Sequence, residues 1–295
     1  MRKPAPIFPV SLSLLLLPLL AGACADLPFD ESSSRLVVEG WIDEGGFPVV
    51  FVTTSVPFTS TDKSRLDLSD HVLKWAKVSV SDGEHTVVLT GRMMRDYPTR
   101  YGFTSGLLRG QSGRTYRLTV DYADHHAEAV TTVPQRAEVA RFELKPHVQA
   151  DGDTLYALAA HAHGLRAEEG AYKFFLRQHA RDSYYLSCNM GLYAAQGLEP
   201  EAVMPVLQPH RLKLSKDEDY SPYFTARDTV YVKFAHLDAV SQRFWKSYED
   251  HVSLEDSPFF ASGSGLQGNV AGALGYWCGY GSSEYVVSIP DSLAK

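Results

Sequence analysis

The chain has 295 residues, a formal charge of −7, and 44% hydrophobic and 12% aromatic residues. Such apolar content excludes a disordered chain, and the acidic balance excludes nucleic acid as a partner, because phosphates require clustered Lys and Arg. The length predicts two domains.

The chain begins with Arg2 and Lys3, followed by a mostly leucine run over Ser11 to Leu20. A positive head before a short apolar run reads as a secretory signal, well below the roughly 20 residues a spanning helix needs. Residues 1–23 form the expected signal peptide, ending at the small residues Ala21, Gly22 and Ala23. Cys24 follows, and two routes are open. Ordinary cleavage near Ala23 would leave Cys24 a bystander, whereas lipoprotein processing would attach a diacylglycerol to its thiol. The stretch resembles a lipobox, with Ala21 where leucine is usual and Leu20 one place early. Lipidation of Cys24 is the expectation, since no other segment approaches membrane length and a lipid chain contributes about 0.8 kcal/mol per buried CH₂. Residues 24–34, with Asp26, Asp30, Glu31 and Ser32 to Ser34, then read as the lipidated cysteine and a flexible tether.

Two cysteines remain, Cys188 and Cys278. In an exported chain they form either a disulfide or two buried free thiols. A bridge would close a loop of about 90 residues and stabilise by about 4 kcal/mol in the chain-entropy model.

From Arg35 onward, short alternating segments bounded by turn residues predict a mainly β chain. "RLVVEGWI" and "FPVVFVTTSV" flank a hairpin turn at Asp43 to Gly46. In "WAKVSVSDGEHTVVLTG", Asp82-Gly83 supplies the positive φ angles of a tight hairpin. "GRTYRLTVDY" places Tyr116, Leu118, Val120 and Tyr122 on one face and Arg117, Thr119 and Asp121 on the other. About seven strands in about 100 residues predict an immunoglobulin-like β-sandwich over residues 35–134, closed by Pro134. Residues 135–295 are expected to form a second β-rich domain, a sandwich or barrel-like fold. There Leu155, Ala157, Ala159 and His161 share a strand face, and Val230, Val232 and Phe234 point inward. Gly197 to Tyr223, rich in proline, reads as a long irregular excursion. One packed helix is predicted near 238–252, with Leu237, Val240, Phe244, Tyr248 and Val252 on its apolar face and Asp238 as N-cap.

Three stretches together carry a resemblance: "RLVVEGWI" after an acidic linker, "FWKSYEDH" followed by "SPF", and the tail "GNVAGALGYWCGYGSSEYVV". In order and spacing they resemble a Bacteroidota lipoprotein family of unknown function, domain-of-unknown-function family four-two-four-nine. Cys278 departs from the small or apolar residue expected in that tail. The resemblance implies an outer membrane lipoprotein, at the periplasmic face or cell surface, encoded beside TonB-dependent receptors. It implies a lipid-anchored accessory or binding protein with such a receptor as partner, and no catalytic residues.

"GSGLQG", Gly263 to Gly268, has the dinucleotide glycine spacing, with Glu284 about 20 residues on, but lacks the βαβ context that would aim a helix at a pyrophosphate. No cofactor is expected. His161 and His163 sit two apart on a strand, yet no third metal ligand is nominated. The carboxylates of Asp151 to Asp153 and Asp217 to Asp219 lack calcium-loop spacing. No metal or catalytic residue is therefore assigned. Gly110 to Arg114 approaches the serine-hydrolase elbow but lacks its last glycine. The aromatic stretches "DYPTRYGF", "SYYLS", "DYSPYF" and "LGYWCGY" either pack at sandwich edges or present rings to a peptide or glycan ligand. A surface hydrolase of glycans or peptides, or a structural or adhesion module, are the alternatives left open.

Overall fold

The computed structural model describes residues 35–55, 68–149, 153–166, 170–211, 220–255 and 266–291. The leader, Cys24, the tether, Asp151, Asp217 to Asp219 and Gly263 lie outside the described residues. The described residues all belong to one compact unit.

The strands are β1 (Leu36–Asp43), β2 (Val49–Thr54), β3 (Lys77–Ser81), β4 (Thr86–Val88), β5 (Thr90–Met93), β6 (Tyr101–Thr104), β7 (Thr115–Tyr122) and β8 (His125–Thr132). They continue as β9 (Glu138–Val148), β10 (Thr154–His163), β11 (Ala171–Gln178), β12 (Leu186–Ala194), β13 (Glu201–Val206), β14 (Phe224–Thr225), β15 (Thr229–Leu237) and β16 (Leu274–Ser288). The helix α1 spans Ala239–Glu255. The fold is mainly β with one packed helix, as expected, and its sheets do not close into a barrel.

An eight-stranded sheet, ordered β12-β11-β15-β16-β1-β2-β6-β5, runs through the unit. It draws strands from both sides of Pro134, where a domain boundary is expected. Its seam is β16, whose first half pairs in parallel with β1, Gly40 opposite Trp277 and Asp43 opposite Tyr280. The second half pairs antiparallel with β15, Lys233 opposite Glu284. One 15-residue strand thereby joins two sandwiches.

Period-two alternation decides what each face of this sheet meets. One face presents Val38, Ile42, Val50, Val52 and Trp277 to the sheet β4-β3-β7-β8, where Val78, Val80, Tyr116, Leu118 and Val120 complete the core. The same face, further along, presents Tyr172, Phe174, Leu176, Val230, Val232 and Phe234 to β10, with β9 on one edge of β10 and β13 and β14 on the other. On β10 the buried side is Tyr156, Leu158, Ala160 and Ala162, so the row of Leu155, Ala157, Ala159 and His161 is the half-exposed face.

Trp277 is fully buried, and its Nε1 donates to the Tyr116 carbonyl at 3.1 Å. A ring that large fits because its cross-strand partner is glycine: a Cβ at Gly40 would stand 2.9 Å from Trp277 Cε3. Two buried tyrosines fasten strand entries. Tyr116 donates its hydroxyl to the Arg109 carbonyl at 3.0 Å and accepts from the Gln111 amide at 2.8 Å. Tyr172 accepts from the Arg166 amide at 2.8 Å. Each resembles the corner tie of immunoglobulin-type sandwiches, where a tyrosine reaches back to upstream backbone.

Two expectations need correction. The stretch 197–223 is not wholly irregular, because Glu201–Val206 forms β13 along β10. Pro205 lies in it without harm, since β13 is an edge strand and a missing amide there breaks no ladder. The face of α1 is also shifted: Ser241, Phe244 and Trp245 are buried, Val240 only partly, and Leu237 closes β15. The cap is as expected, the Ser241 amide donating to Asp238 Oδ1 at 2.8 Å.

Candidate functional site: an aromatic cavity on the outer face of the large sheet

The opposite face of the eight-stranded sheet packs against α1 over only part of its width. Ala171, Phe175, Ala235, Leu237, Cys278 and Tyr280 meet Phe244 and Trp245 of the helix. Beside this patch the sheet floors a cavity of about 500 Å³, within the size range of small-molecule sites.

Alternation builds the floor. On β1 the buried row is Leu36, Val38, Gly40 and Ile42, so the alternate residues Glu39, Trp41 and Asp43 all project into the cavity. On β16 the same rule turns Tyr276, Tyr280 and Glu284 to the cavity side, and on β15 it aims Lys233 there. Two loops wall it. Tyr97, Pro98 and Thr99 come from the β5–β6 loop, which is closed by the Met94 amide donating to the Arg100 carbonyl at 2.9 Å. Tyr184 and Tyr185 come from the turn before β12. The loops are clasped together: Ser183 Oγ donates to the Asp96 carbonyl at 2.6 Å, and the rings of Tyr97 and Tyr184 lie 5.4 Å apart. Tyr97 further contacts Trp41 at 5.9 Å and Phe51 at 5.0 Å, centroid to centroid. Trp245 Nε1 donates to the Tyr280 hydroxyl at 3.1 Å, fixing the helix side.

The charges are not balanced. Lys233 Nζ stands 2.5 Å from Asp43 Oδ1, the oxygen that also accepts from Ser282 Oγ at 2.7 Å, and 4.8 Å above the Tyr280 ring. That pair is neutral. Glu284 accepts from the Tyr185 hydroxyl at 3.1 Å. Glu39 has no hydrogen-bond or ion-pair partner among the described residues. Its side chain is open to the cavity but surrounded by protein, and the resulting loss of solvation raises its pKa above 4.5. Burial raises the Tyr276 phenol well above its ordinary value, and Glu39 adds to the rise; burial, then Asp182 and Glu39, raises Tyr184. The Thr99 hydroxyl is buried without a partner among the described residues.

Three of the four aromatic stretches singled out in the sequence converge here, through Tyr97, Tyr184 with Tyr185, and Tyr276 with Tyr280. The fourth goes elsewhere, Tyr220 stacking on His210 at 4.2 Å and Tyr223 on His147 at 4.4 Å. Glu284, noted only for its distance from the glycine motif, belongs to the cavity. No sequence motif marks Glu39, Asp43 or Lys233 as cavity residues. The usable signal was the alternation of β1, which puts a carboxylate, an indole and a carboxylate on one side of a strand whose other side is apolar.

The histidine pair does not assemble a centre. His161 Nε2 meets Glu143 Oε2 at 2.7 Å, while His163 Nε2 lies 3.9 Å from Glu138 Oε2. Among the described residues, Asp82, Glu84 and His85 bring three ligand types together. There Asp82 already accepts from the His85 and Glu84 amides and from Arg114, contacts that hold its pKa down to about 2, so its oxygens serve the β3–β4 turn. Cys188 and Cys278 are both buried free thiols, the first in the core facing β10 and the second beneath α1.

No helix among the described residues is long and apolar enough to cross a membrane. A comparison with curated proteins gives no match. The match to a family profile runs over residues 25–285, from the residue after Cys24 into β16, and so covers the sheet, the helix and the cavity. The chain therefore belongs to the family described as Domain of unknown function (DUF4249), as the order of its motifs indicated.

Proposed function

We propose that this chain is a lipid-anchored, non-enzymatic binding protein of the outer membrane that takes a small ligand into the cavity beside α1 and works with a TonB-dependent receptor in nutrient uptake. The observation that carries the binding role is the cavity: about 500 Å³ walled by nine aromatic rings with a few polar groups among them. Apolar walls with sparse, fixed polar groups bury most of a small ligand while orienting it. The signal sequence and Cys24 support the anchor, and the family resemblance supports the receptor partner.

The surface-hydrolase reading has less support. Glycoside cleavage needs two carboxyl groups about 5 to 10 Å apart and free to act. Asp43 is held by Lys233 and Ser282, and Glu39 stands four residues from it on β1, about 13 Å along a strand.

The cavity offers its own probe, since Trp41 and Trp245 both line it. Titration with short peptides, oligosaccharides and small amphiphiles should find a class that changes tryptophan fluorescence saturably. A Trp41→Leu variant should lose most of that change. No saturable response to any class would refute the binding role. Mass spectrometry of the mature protein should find a diacylated Cys24, and a C-terminal affinity tag should recover an outer-membrane barrel under gentle detergent.

A further inference from the structure

We infer that the cavity selects an organic ammonium ligand with an apolar body, its cationic head held at the Glu39 carboxylate among the rings of Trp41, Tyr97, Tyr184 and Tyr276. This rests on the reading of the cavity as a ligand site and adds the charge of the ligand.

The chain's own lysines show the chemistry. On this face of the sheet it holds two ammonium groups, each with the same two kinds of partner. Lys173 has Glu249 at 2.8 Å and the Trp245 ring at 4.8 Å. Lys233 has Asp43 at 2.5 Å and the Tyr280 ring at 4.8 Å. A carboxylate supplies the opposite charge and an aromatic face supplies its negative quadrupole, a combination that binds ammonium groups strongly once water is excluded. Glu39 offers the same two kinds of partner: it lies opposite Tyr276 in the sheet and lines the cavity with Trp41, Tyr97 and Tyr184, and among the described residues no cation of the chain pairs with it.

The charge count points the same way. Lys233 is neutralised by Asp43, so Glu39 and Glu284 leave the cavity with an excess of negative charge. An anion would meet that excess and the electron-rich ring faces together. A neutral polyol could stack on the rings, but it would leave the carboxylate without a counter-charge beside Glu284 in a cavity of net negative charge. A cation satisfies both features, and the remaining aromatic wall, Phe51, Phe175 and Trp245, accommodates the apolar body.

The test uses three probes of one shape: 3-phenylpropylammonium, 3-phenylpropan-1-ol and 3-phenylpropionate, each titrated calorimetrically into the purified protein at neutral pH and low salt. The amine is expected to bind at least tenfold more tightly than the alcohol, with the acid weakest. In Glu39→Gln the amine should lose its advantage and come within twofold of the alcohol. Alcohol or acid binding as tightly as the amine, or a preference that survives Glu39→Gln, overturns the ammonium inference and leaves the ligand cavity standing. Failure of all three probes, when an uncharged oligosaccharide gives the saturable fluorescence response, also overturns it. Failure of every class in both experiments overturns the cavity reading as well.

Discussion

The Asp238 carboxylate accepts hydrogen bonds at 2.9 Å from both the Thr131 hydroxyl and the Thr132 amide, residues more than 100 positions earlier in the chain. The same side chain caps α1 through the Ser241 amide, and Thr131 Oγ1 in turn accepts from the Gly279 amide at 2.8 Å. One aspartate thus ties the helix that walls the cavity to β8 and, through Thr131, to the seam strand β16.

Asp238→Ala should therefore cost more than a surface cap. A lost N-cap is worth about 0.5–2 kcal/mol, and depriving the Thr131 hydroxyl of its carboxylate acceptor and the Thr132 amide of its side-chain partner adds about 1–3 kcal/mol. Urea denaturation should show a loss of about 3 kcal/mol. A loss below about 1 kcal/mol would mean the tie to β8 contributes nothing beyond the cap.

Glu39 should be a stability liability at neutral pH. Its pKa is raised in the folded state, so between 4.5 and the folded value the native protein binds more protons than the unfolded chain. Stability then falls as pH rises through that window, and the deficit is complete above it. Glu39→Gln should melt higher than wild type at pH 7, with the difference vanishing below about pH 4, where the carboxyl is protonated in both states. Equal melting temperatures at pH 7 would show that the carboxylate is solvated well enough to need no counter-charge.

Lys173 should behave as half of a buried pair. It is fully buried, and burial pushes its pKa down while Glu249 opposes the fall. Lys173→Met alone should cost about 3 kcal/mol because Glu249 is stranded, whereas Lys173→Met combined with Glu249→Leu should come within about 1 kcal/mol of wild type. A double variant as unstable as the single one would mean that the loss lies in packing rather than charge.

The two inner cysteines should be silent until the fold opens. Burial pushes the thiols of Cys188 and Cys278 up to about 12, and the thiolate is the reactive form. Ellman's reagent at pH 8 should detect neither in the native protein and both in guanidinium. Their absence from the denatured count without reductant would reveal a disulfide.

Much of the fold was legible along the chain because it is written locally. The turn after Ser81 lies between β3 and β4 as expected; Gly83 has a positive φ of 92°, whereas Asp82 does not and instead accepts from the Glu84 and His85 amides through its side chain. The alternation of β7 matches its buried side, and the Asp238 cap begins α1. Where the reading missed, a non-local partner decided. β13 contains Pro205 and looks like loop until β10 supplies its ladder. The buried stripe of α1 depends on which side chains of β11 and β16 it meets, and these favour Ser241, Phe244 and Trp245.

By itself the sequence determined a mainly β body, one capped helix and, through strict alternation, which residues of each strand stand together. Only the tertiary structure decided that β16, from the far end of the chain, lies in parallel beside β1. That placement converts two separate stripes, Glu39 to Asp43 and Tyr276 to Glu284, into one cavity floor. The physical reason is range: periodicity fixes a side chain's face within its own strand, whereas strand order in a sheet depends on burying surfaces that lie more than 200 residues apart.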